Sequence, residues 1–254
     1  MDAFRSVRAV FFDLDDTLCA YWEAAGIGLR TAFELCRPYG KTPEEMIGHW
    51  GVAFRRFCPS IKGSDWYAEY LKSGEPTRNE LMRLTLLEAG IQNETLSSKL
   101  GDLYAQARDE NLRLFPDAVE TLQKLKERFP LGLMTNGPAD IQRQEVQTLG
   151  LDRIVDHVFI EGEMGEGKPL PAVFRRAESA VGLPPNELLF VGNSYGHDIL
   201  PAIEAGWRTI WIRRPSDVAP SAGDAKPEEK PDGKPDPDAV VSNLIAVREL
   251  VLGE

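Results

Sequence analysis

Four short polar stretches of this sequence each follow a run of apolar residues. The first stretch holds three carboxylates within four positions, and the second pairs a hydroxyl with an amide. The third carries a lysine between glycine and proline, and the fourth pairs an amide with a carboxylate five positions later. The side chains best suited to chemistry are Asp13 and Asp15; Thr135 and Asn136; Lys168; and Asn193 with Asp198.

The first and fourth stretches are suited to a divalent cation. Asp13 and Asp15 stand two positions apart after an apolar run, so they can converge on one hard cation through side-chain oxygens and a backbone carbonyl. Asn193 and Asp198 supply further oxygens. Because an octahedral oxygen shell completed by water suits Mg²⁺, we predict a Mg²⁺ site formed by these four residues.

The second and third stretches are suited to an anion. Thr135 and Asn136 are neutral hydrogen-bond donors, and Lys168 is a cationic donor. Together with a carboxylate nucleophile and a metal ion, such donors are the groups that phosphoryl transfer requires, because the cations neutralise the phosphate oxygens while the carboxylate attacks phosphorus. We therefore predict phosphate binding by these three residues and catalysis by Asp13 and Asp15.

Each stretch alone also has a structural explanation. The acidic stretch at 13–17 could be a Ca²⁺ loop, although it lacks the glycine and distal glutamate of an EF-hand, or a cluster that caps a helix. Thr135, Asn136 and the following glycine are typical of a turn, and a single lysine before proline is usually a solvated surface residue. All four stretches in this order, each after an apolar run, are hard to explain in these ways.

The apolar runs predict the strands that must position these side chains. Helical patterns, several with proline at the start or glycine at the end, separate most of the runs. Ligands bind beyond the carboxyl ends of the strands in open α/β sheets, which is where the polar stretches lie. The predicted strands are residues 7–12, 131–134, 157–160, 188–191, 209–212 and 239–241.

The alternation of strands and helices predicts an α/β fold with a doubly wound, Rossmann-like parallel sheet. One interval, residues 20–111, contains only helical patterns. We predict that it is an inserted all-helical cap domain, and that residues 1–19 and 112–254 form the discontinuous α/β core domain. The predicted helices are 22–36, 43–57, 77–89 and 94–112 in the cap, and 117–128, 140–149 and 171–181 in the core.

Composition favours small molecules as partners. The 29 basic and 40 acidic residues give a net charge of −11, which repels nucleic acid and anionic membranes. No stretch approaches the roughly 20 apolar residues of a membrane span. The three cysteines (Cys19, Cys36 and Cys58) lack the paired spacing of metal sites, and their odd number argues against a disulfide framework, so we predict a reducing, cytoplasmic location.

The four stretches, taken in this order, resemble the motifs of the haloacid dehalogenase-like (HAD) superfamily of hydrolases. The sequence DLDDTL resembles the first motif, TN the second, GKP the third and GNSYGHD the fourth, and the resemblance covers essentially the whole chain. It is closest to the subfamily with a helical cap after the first motif. The resemblance implies a Mg²⁺-dependent phosphatase of a small phosphomonoester, such as a sugar phosphate, a phosphoglycolate-like compound or a nucleotide.

The resemblance also implies the role of each residue. Asp13 would be the nucleophile that forms an aspartyl-phosphate. Asp15 would protonate the leaving alkoxide and then deprotonate the attacking water, and its carbonyl would bind Mg²⁺. The predicted phosphate-binding residues would hold the transferring group, with Lys168 also shielding Asp13. Asn193 and Asp198 would complete the metal site.

Asp15 separates the reactions of the superfamily. A dehalogenase needs the nucleophile but no acid for the halide, and that branch resembles this pattern with a non-acidic residue at the position of Asp15, so dehalogenation is not expected. A phosphomutase remains open, although residues 19–26 lack the basic or histidine residue expected for one. A non-catalytic phosphate-binding protein also remains open, because the family more often has aspartate at the position of Asn193.

Two further segments are expected to affect function. Trp22, with Arg55 or Arg56, is one candidate for binding the substrate from the cap. The alternative is that the cap aromatics form its own core and the arginines are solvated. Residues 215–238 contain six prolines and little that could be buried, so they predict a mobile loop.

Overall fold

The structure, a computed structural model, describes residues 3–220 and 228–253. Its strands are β1 (Ala9–Phe12), β2 (Leu131–Thr135), β3 (His157–Ile160), β4 (Leu188–Gly192), β5 (Arg208–Ile212) and β6 (Ala239–Val241). They form one parallel sheet in the order β3-β2-β1-β4-β5-β6. The central strand β1 therefore has β2 and β4 as its neighbours, and the residues that follow these three strands meet at one edge.

The sheet is covered on both faces. Val10 and Phe12 of β1 point into one hydrophobic cluster, and Ala9 and Phe11 point into the other. Successive side chains of a strand alternate between the faces, so a strand buried on both sides needs apolar residues throughout. This burial explains why the strands appear in the sequence as continuous apolar runs.

The chain between β1 and β2 is helical. It forms α1 (Tyr21–Phe33), α2 (Pro43–Ile61), α3 (Trp66–Lys72), α4 (Glu75–Glu88) and α5 (Glu94–Asn111). Helix α2 begins with a capping box in which the Thr42 hydroxyl accepts from the Glu45 amide and the Glu45 carboxylate accepts from the Thr42 amide. The five helices bury a hydrophobic cluster of their own, which includes Leu29, Phe33 and Trp50.

Helices also connect and follow the later strands. They are α6 (Ala118–Lys126), α7 (Ala139–Thr148), α8 (Glu161–Met164), α9 (Pro171–Val181), α10 (Leu200–Glu204) and α11 (Leu244–Leu252). Helix α9 begins at a proline and ends at Gly182, whose φ of 66° places it in the left-handed region that favours glycine. No helix in the described ranges combines the length and hydropathy needed to cross a membrane.

The helical segment joins the sheet at a narrow junction. Cys19 forms an antiparallel backbone bridge with Leu114, where the chain returns after α5. The amide of Ala20 donates to the Arg113 carbonyl, and the amide of Phe115 donates to the Leu18 carbonyl. The outgoing and returning segments are therefore hydrogen-bonded to each other directly beside the end of β1.

The predicted fold class is confirmed, with local differences in the elements. Strand β1 begins at Ala9 rather than at residue 7, because the amide of Val7 is bonded to the Phe4 carbonyl in a turn. Helix α1 ends at Phe33 and continues as a 3-10 turn that contains Pro38. The short helices α3 and α8 were not predicted, whereas α10 lies where a helix was expected after the turn that follows β4. The division into cap and core domains remains a prediction.

Candidate active site

A buried lysine joins two of the predicted acids. The Lys168 Nζ atom lies 2.6 Å from Asp13 Oδ1 and 2.6 Å from Asp198 Oδ1. Asp13 follows β1, Asp198 lies on the turn after β4, and Lys168 comes from the loop after α8, so the strand order brings the three together. Burial lowers the pKa of Lys168, but the two carboxylates raise it more, and the net shift is upward. The ammonium is therefore charged at neutral pH.

The second oxygen of Asp13 faces a hydroxyl. Thr17 Oγ1 donates to Asp13 Oδ2 over 3.1 Å, while Lys168 occupies the other side of the carboxylate. Burial raises the pKa of Asp13 to about 6, and Lys168 opposes that rise. Asp13 is thus mainly ionised at neutral pH, as a nucleophile must be.

Asp15 has a different environment. Its Oδ2 accepts from Gln142 Nε2 at 3.3 Å, and the Cys19 thiol lies 3.7 Å from its Oδ1. Burial, followed by the charge of Asp13, raises the pKa of Asp15 to about 7, and the nearby Arg108 opposes the shift. Asp15 is consequently suited to exchange protons near neutral pH.

Asp16 is a third buried acid whose position the sequence did not explain. Its φ of 56° lies in the left-handed region, which aspartate tolerates better than most residues. Its carboxylate accepts from the backbone amide of Trp22 near the start of α1. Burial and the charges of neighbouring acids raise its pKa to about 9, so Asp16 is expected to be protonated at neutral pH.

The second predicted motif supports its neighbours. Thr135 donates through its hydroxyl to Gln142 Oε1 at 2.6 Å, and Gln142 in turn donates to Asp15. The Asn136 side chain forms two bonds with the backbone of Lys168: its Nδ2 donates to the carbonyl at 2.7 Å, and its Oδ1 accepts from the amide at 2.8 Å. Both residues thus lie at the site, and both hold other site residues in place.

Close packing after β4 explains the glycine of the fourth motif. A Cβ atom at Gly192 would lie 2.4 Å from Asp198 Oδ2, so any larger residue would displace the carboxylate. The amide of Ser194 donates to the same oxygen at 3.0 Å. Gly192 therefore allows Asp198 to fold back over the strand end and reach Lys168.

A family model for haloacid dehalogenase-like hydrolases matches residues 7–206. This chain belongs to that family. The phosphoserine phosphatase of Thermus thermophilus is 34% identical over 185 residues, which cover 72% of this chain and 72% of the relative. The N-acylneuraminate-9-phosphatase of Rattus norvegicus is 26% identical over 224 residues, covering 84% and 85%.

The fold comparison agrees with the family. A 2-haloacid dehalogenase from Pseudomonas syringae pv. Tomato has a TM-score of 0.64 to this HAD-like hydrolase, with 26% identity, and the match covers 97% of this chain and 98% of the other. The predictions of the family and of a hydrolase are confirmed. The phosphatase relatives are consistent with hydrolysis of phosphoric monoesters, while the dehalogenase shares the fold.

Asn193 of this HAD-like hydrolase lies between Thr17, which contacts Asp13, and Asp217, an acid that was not predicted to be at the site. Asn193 Oδ1 accepts from Thr17 Oγ1 at 3.3 Å, and Thr17 also contacts Asp13. On the other side, Asn193 Nδ2 donates to Asp217 Oδ2 at 2.9 Å. Because an ionised carboxylate can only accept hydrogen bonds, Asp217 orients the Asn193 amide with its NH2 group toward Asp217 and its oxygen toward Thr17.

The segment predicted to be a mobile loop, residues 215–238, contacts the fourth motif through Asp217 and Glu228. Residues 221–227, between these two acids, lie outside the described residues. Asp217 binds Asn193 as above. Glu228 accepts hydrogen bonds from the amides of Tyr195 at 2.8 Å and Gly196 at 3.0 Å, and from the Ser194 hydroxyl at 2.9 Å. The composition of the segment gave no indication of these contacts, and its mobility remains a prediction.

The chemistry of the site fits a hard cation. Asp13, Asp15 and Asp16 are three acids in four positions, and burial raises the pKa of each. The donors in reach are carboxylate, amide and carbonyl oxygens, the class that Mg²⁺ prefers. Among the described residues, no group of three or more aspartate, glutamate, histidine or cysteine side chains is arranged to hold a metal ion. A cation at this site would therefore also need neutral oxygen ligands. The amide of Asn193 is such a donor.

Two adjoining cavities lie beside Asp15. One, of about 410 Å³, is lined by all the predicted catalytic, phosphate-binding and metal-binding residues and by His197. The other, of about 320 Å³, extends among the helices of residues 21–111. Trp22 lines both cavities and also packs against the hydrophobic cluster of the helices, so its role in substrate binding stays a prediction. Arg55 and Arg56 are exposed and line neither cavity, and Arg56 pairs with Glu88.

Proposed function

We propose that this HAD-like hydrolase is a Mg²⁺-dependent phosphatase of a small phosphomonoester, acting through an aspartyl-phosphate at Asp13. The observation that supports this most is the difference between two neighbouring acids. Asp13 is held ionised by Lys168, while the pKa of Asp15 is raised to about 7. A nucleophile and a proton carrier need these two different environments.

The first half-reaction uses both acids. Asp13 attacks phosphorus, a bond forms between its carboxylate oxygen and phosphorus, and the bond to the ester oxygen breaks. Asp15 gives its proton to that oxygen, so the alcohol leaves neutral. In the second half-reaction Asp15 takes a proton from water, the water oxygen attacks phosphorus, and the bond to Asp13 breaks to release phosphate.

The remaining residues hold and neutralise the phosphate. Lys168 offers its ammonium beside Asp13, and Thr135 lies at the same cavity. Asn136 bonds the backbone of Lys168, so part of its contribution is to position that lysine. Stabilising donors placed in advance around a transferring group lower the barrier because they need no reorganisation during the reaction.

We propose that Asp13, Asp15, Asn193 and Asp198 hold the cation. When bound, Mg²⁺ would neutralise phosphate oxygens beside the nucleophile. Asp198 is positioned by Lys168 and the Ser194 amide, and Asn193 is positioned by Asp217. These second contacts orient the ligands before a cation arrives.

A test of the proposed reaction is the hydrolysis of a generic aryl phosphate by metal-depleted enzyme with and without added Mg²⁺. We expect phosphate release to fall by about a hundredfold or more without Mg²⁺ and to return when it is restored. Released inorganic phosphate is the measurement, and an Asp13→Asn variant is the blank. Turnover that is unaffected by metal depletion would exclude the proposed cofactor, and turnover no greater than the blank would favour a binding protein.

The pair Asn193–Asp217 gives a prediction about the metal. The single variant Asn193→Asp replaces the amide that donates to Asp217 over 2.9 Å with a second carboxylate. The two carboxylates would repel each other, and this repulsion should limit any gain in Mg²⁺ affinity. The double variant Asn193→Asp with Asp217→Asn restores one donor and one acceptor and adds a charge next to the cation. We expect it to bind Mg²⁺ on the order of tenfold more tightly than the wild type, as measured by calorimetric titration of metal-free protein.

Asp217→Asn alone is the matched control for that exchange. It removes the acceptor that orients Asn193, so Mg²⁺ affinity should fall by about tenfold. If the double variant binds Mg²⁺ no better than the single Asp217→Asn variant, Asn193 does not contact the cation.

We also propose a cytoplasmic location. The three cysteines are unpaired in the structure, and two of them are buried. Free thiols persist in reducing compartments, where disulfides are rare. Labelling the cysteines in protein isolated from intact cells would test this proposal, because oxidised thiols would indicate another compartment.

A further inference from the structure

The second cavity contacts Asp15 but not Asp13 or Lys168, and most of its lining comes from the helical segment of residues 21–111. Residues of all five helices between β1 and β2 line it, and the turn after β2 closes it. It shares Asp15, Trp22 and Asn136 with the catalytic cavity. A phosphate ester bound at Asp13 therefore has its leaving alcohol at the entrance to this cavity.

The cavity has an aromatic and aliphatic lining. Trp50 and Phe54 stack with ring centroids 4.7 Å apart, and Trp22 meets Phe54 edge to face at 5.9 Å. Leu81 and Met82 are buried on the α4 side. Polar residues also line the cavity, but several of them, such as Thr77 and Gln142, are already hydrogen-bonded within the protein. Hydroxyl groups placed against the apolar walls would therefore lose their water without replacement partners.

Three basic residues line the cavity, and two of them are already paired. Lys62 lies 2.8 Å from Glu161, and Arg108 is hydrogen-bonded to Asp109 at 2.6 Å. Arg78 differs: in residues 3–220 and 228–253 no carboxylate lies within ion-pair distance of it, and its buried Nε atom has no hydrogen-bond partner. A guanidinium that lines a largely apolar cavity without a carboxylate partner is a site for an anion.

Building on the proposed phosphatase activity, we infer that the substrate is a phosphate ester of an apolar alcohol, about the size of an aromatic ring or larger, that carries an anionic group for Arg78. The volume of about 320 Å³ lies within the range of small-molecule pockets and exceeds the needs of a two- or three-carbon alcohol. Polyhydroxylated alcohols fit the lining poorly because their hydroxyls would be buried without partners.

Three primary alkyl phosphates test the inference: benzyl phosphate, carboxybenzyl phosphate and glycerol phosphate. Their leaving groups have similar intrinsic reactivity, so differences in kcat/KM report recognition of the alcohol. We expect carboxybenzyl phosphate to exceed glycerol phosphate by about a hundredfold and benzyl phosphate to fall between them. Equal values for the three esters, or a preference for glycerol phosphate, would overturn the inference.

Variants of Arg78 separate the anionic contact from the apolar one. Arg78→Met keeps an apolar stem but removes the charge, so it should lower kcat/KM for carboxybenzyl phosphate about tenfold or more relative to its effect on benzyl phosphate. Arg78→Lys should recover part of the loss. Arg55→Ala, an exposed arginine outside the cavity, is the control. An equal effect of Arg78→Met on both esters would show that Arg78 does not bind the anion.

Binding to the Asp13→Asn variant distinguishes failure of this inference from failure of the proposed reaction. Calorimetric titration of that variant with the three esters needs no turnover. We expect the affinities to follow the same order as the kcat/KM values. In the double variant Asp13→Asn with Arg78→Met, carboxybenzyl phosphate should lose its advantage over benzyl phosphate. That result would support the anion site even if the wild type hydrolysed none of the esters. An order that favours glycerol phosphate would overturn the inference independently of catalysis.

Discussion

Asp13→Asn is expected to lower kcat by about four to six orders of magnitude. An amide oxygen at this position cannot form the acyl phosphate, so only the binding contribution of the surrounding donors remains. The substitution is close to isosteric: its oxygen can still accept from Lys168, and its NH2 group then faces the Thr17 hydroxyl, which can accept a hydrogen bond. Lys168 also keeps its bond to Asp198, so no buried cation is left unpaired.

Two measurements check this expectation. Phosphate release gives kcat, and mass spectrometry of acid-quenched enzyme should detect one added phosphoryl group on the wild type but none on the variant. Asp102→Asn, an exposed residue of α5 that lines neither cavity, is the control for aspartate replacement in general. Turnover of the Asp13 variant within tenfold of the wild type would rule out Asp13 as the nucleophile.

Asp15→Asn is expected to separate the two half-reactions. Loss of the proton donor should reduce kcat for alkyl phosphates by about two to four orders of magnitude. An aryl phosphate has a better leaving group and needs less protonation, so its first step should be much less affected. Because the second step still lacks a base for water, the phosphoenzyme should accumulate, and a rapid burst of the aryl alcohol should precede slow turnover.

The neighbouring acid supplies the control. Asp16 is as well buried as Asp13, its pKa of about 9 makes it neutral near pH 7, and asparagine tolerates its left-handed backbone. Asp16→Asn should therefore change kcat by less than about tenfold and show no burst. If Asp15→Asn slowed alkyl and aryl esters equally, without a burst, Asp15 would not be the acid and base.

Sequence alone predicted the parts of this molecule that follow simple physical patterns. All six strands were identified as short apolar runs, and those of β1, β2 and β4 are buried on both faces. The polar residues that follow these three strands meet because parallel strands end at one edge. The short helix α3 was missed because none of its residues is fully buried, which leaves no apolar stripe to detect.

The parts that sequence could not predict depend on single contacts between distant segments. Gln142 lies within a correctly predicted helix, but only the fold shows that its amide bonds Asp15. Asp217 stands in a proline-rich segment whose composition indicates mobility rather than a contact with Asn193. Arg55 stands beside two phenylalanines and Arg78 has no aromatic neighbour in the sequence, yet the orientation of each helix decides that only Arg78 lines the cavity.

The backbone bridge at Cys19 has a consequence for how such enzymes diversify. The chain leaves the sheet at Cys19 and returns at Leu114, and the two points are bonded to each other. The intervening helices can be lengthened, shortened or exchanged without moving Asp13 or Asp15. The reason is that the hydrogen bonds between the outgoing and returning segments do not involve residues of those helices. The range of accepted alcohols can thus be inherited, recombined or engineered separately from the reaction itself.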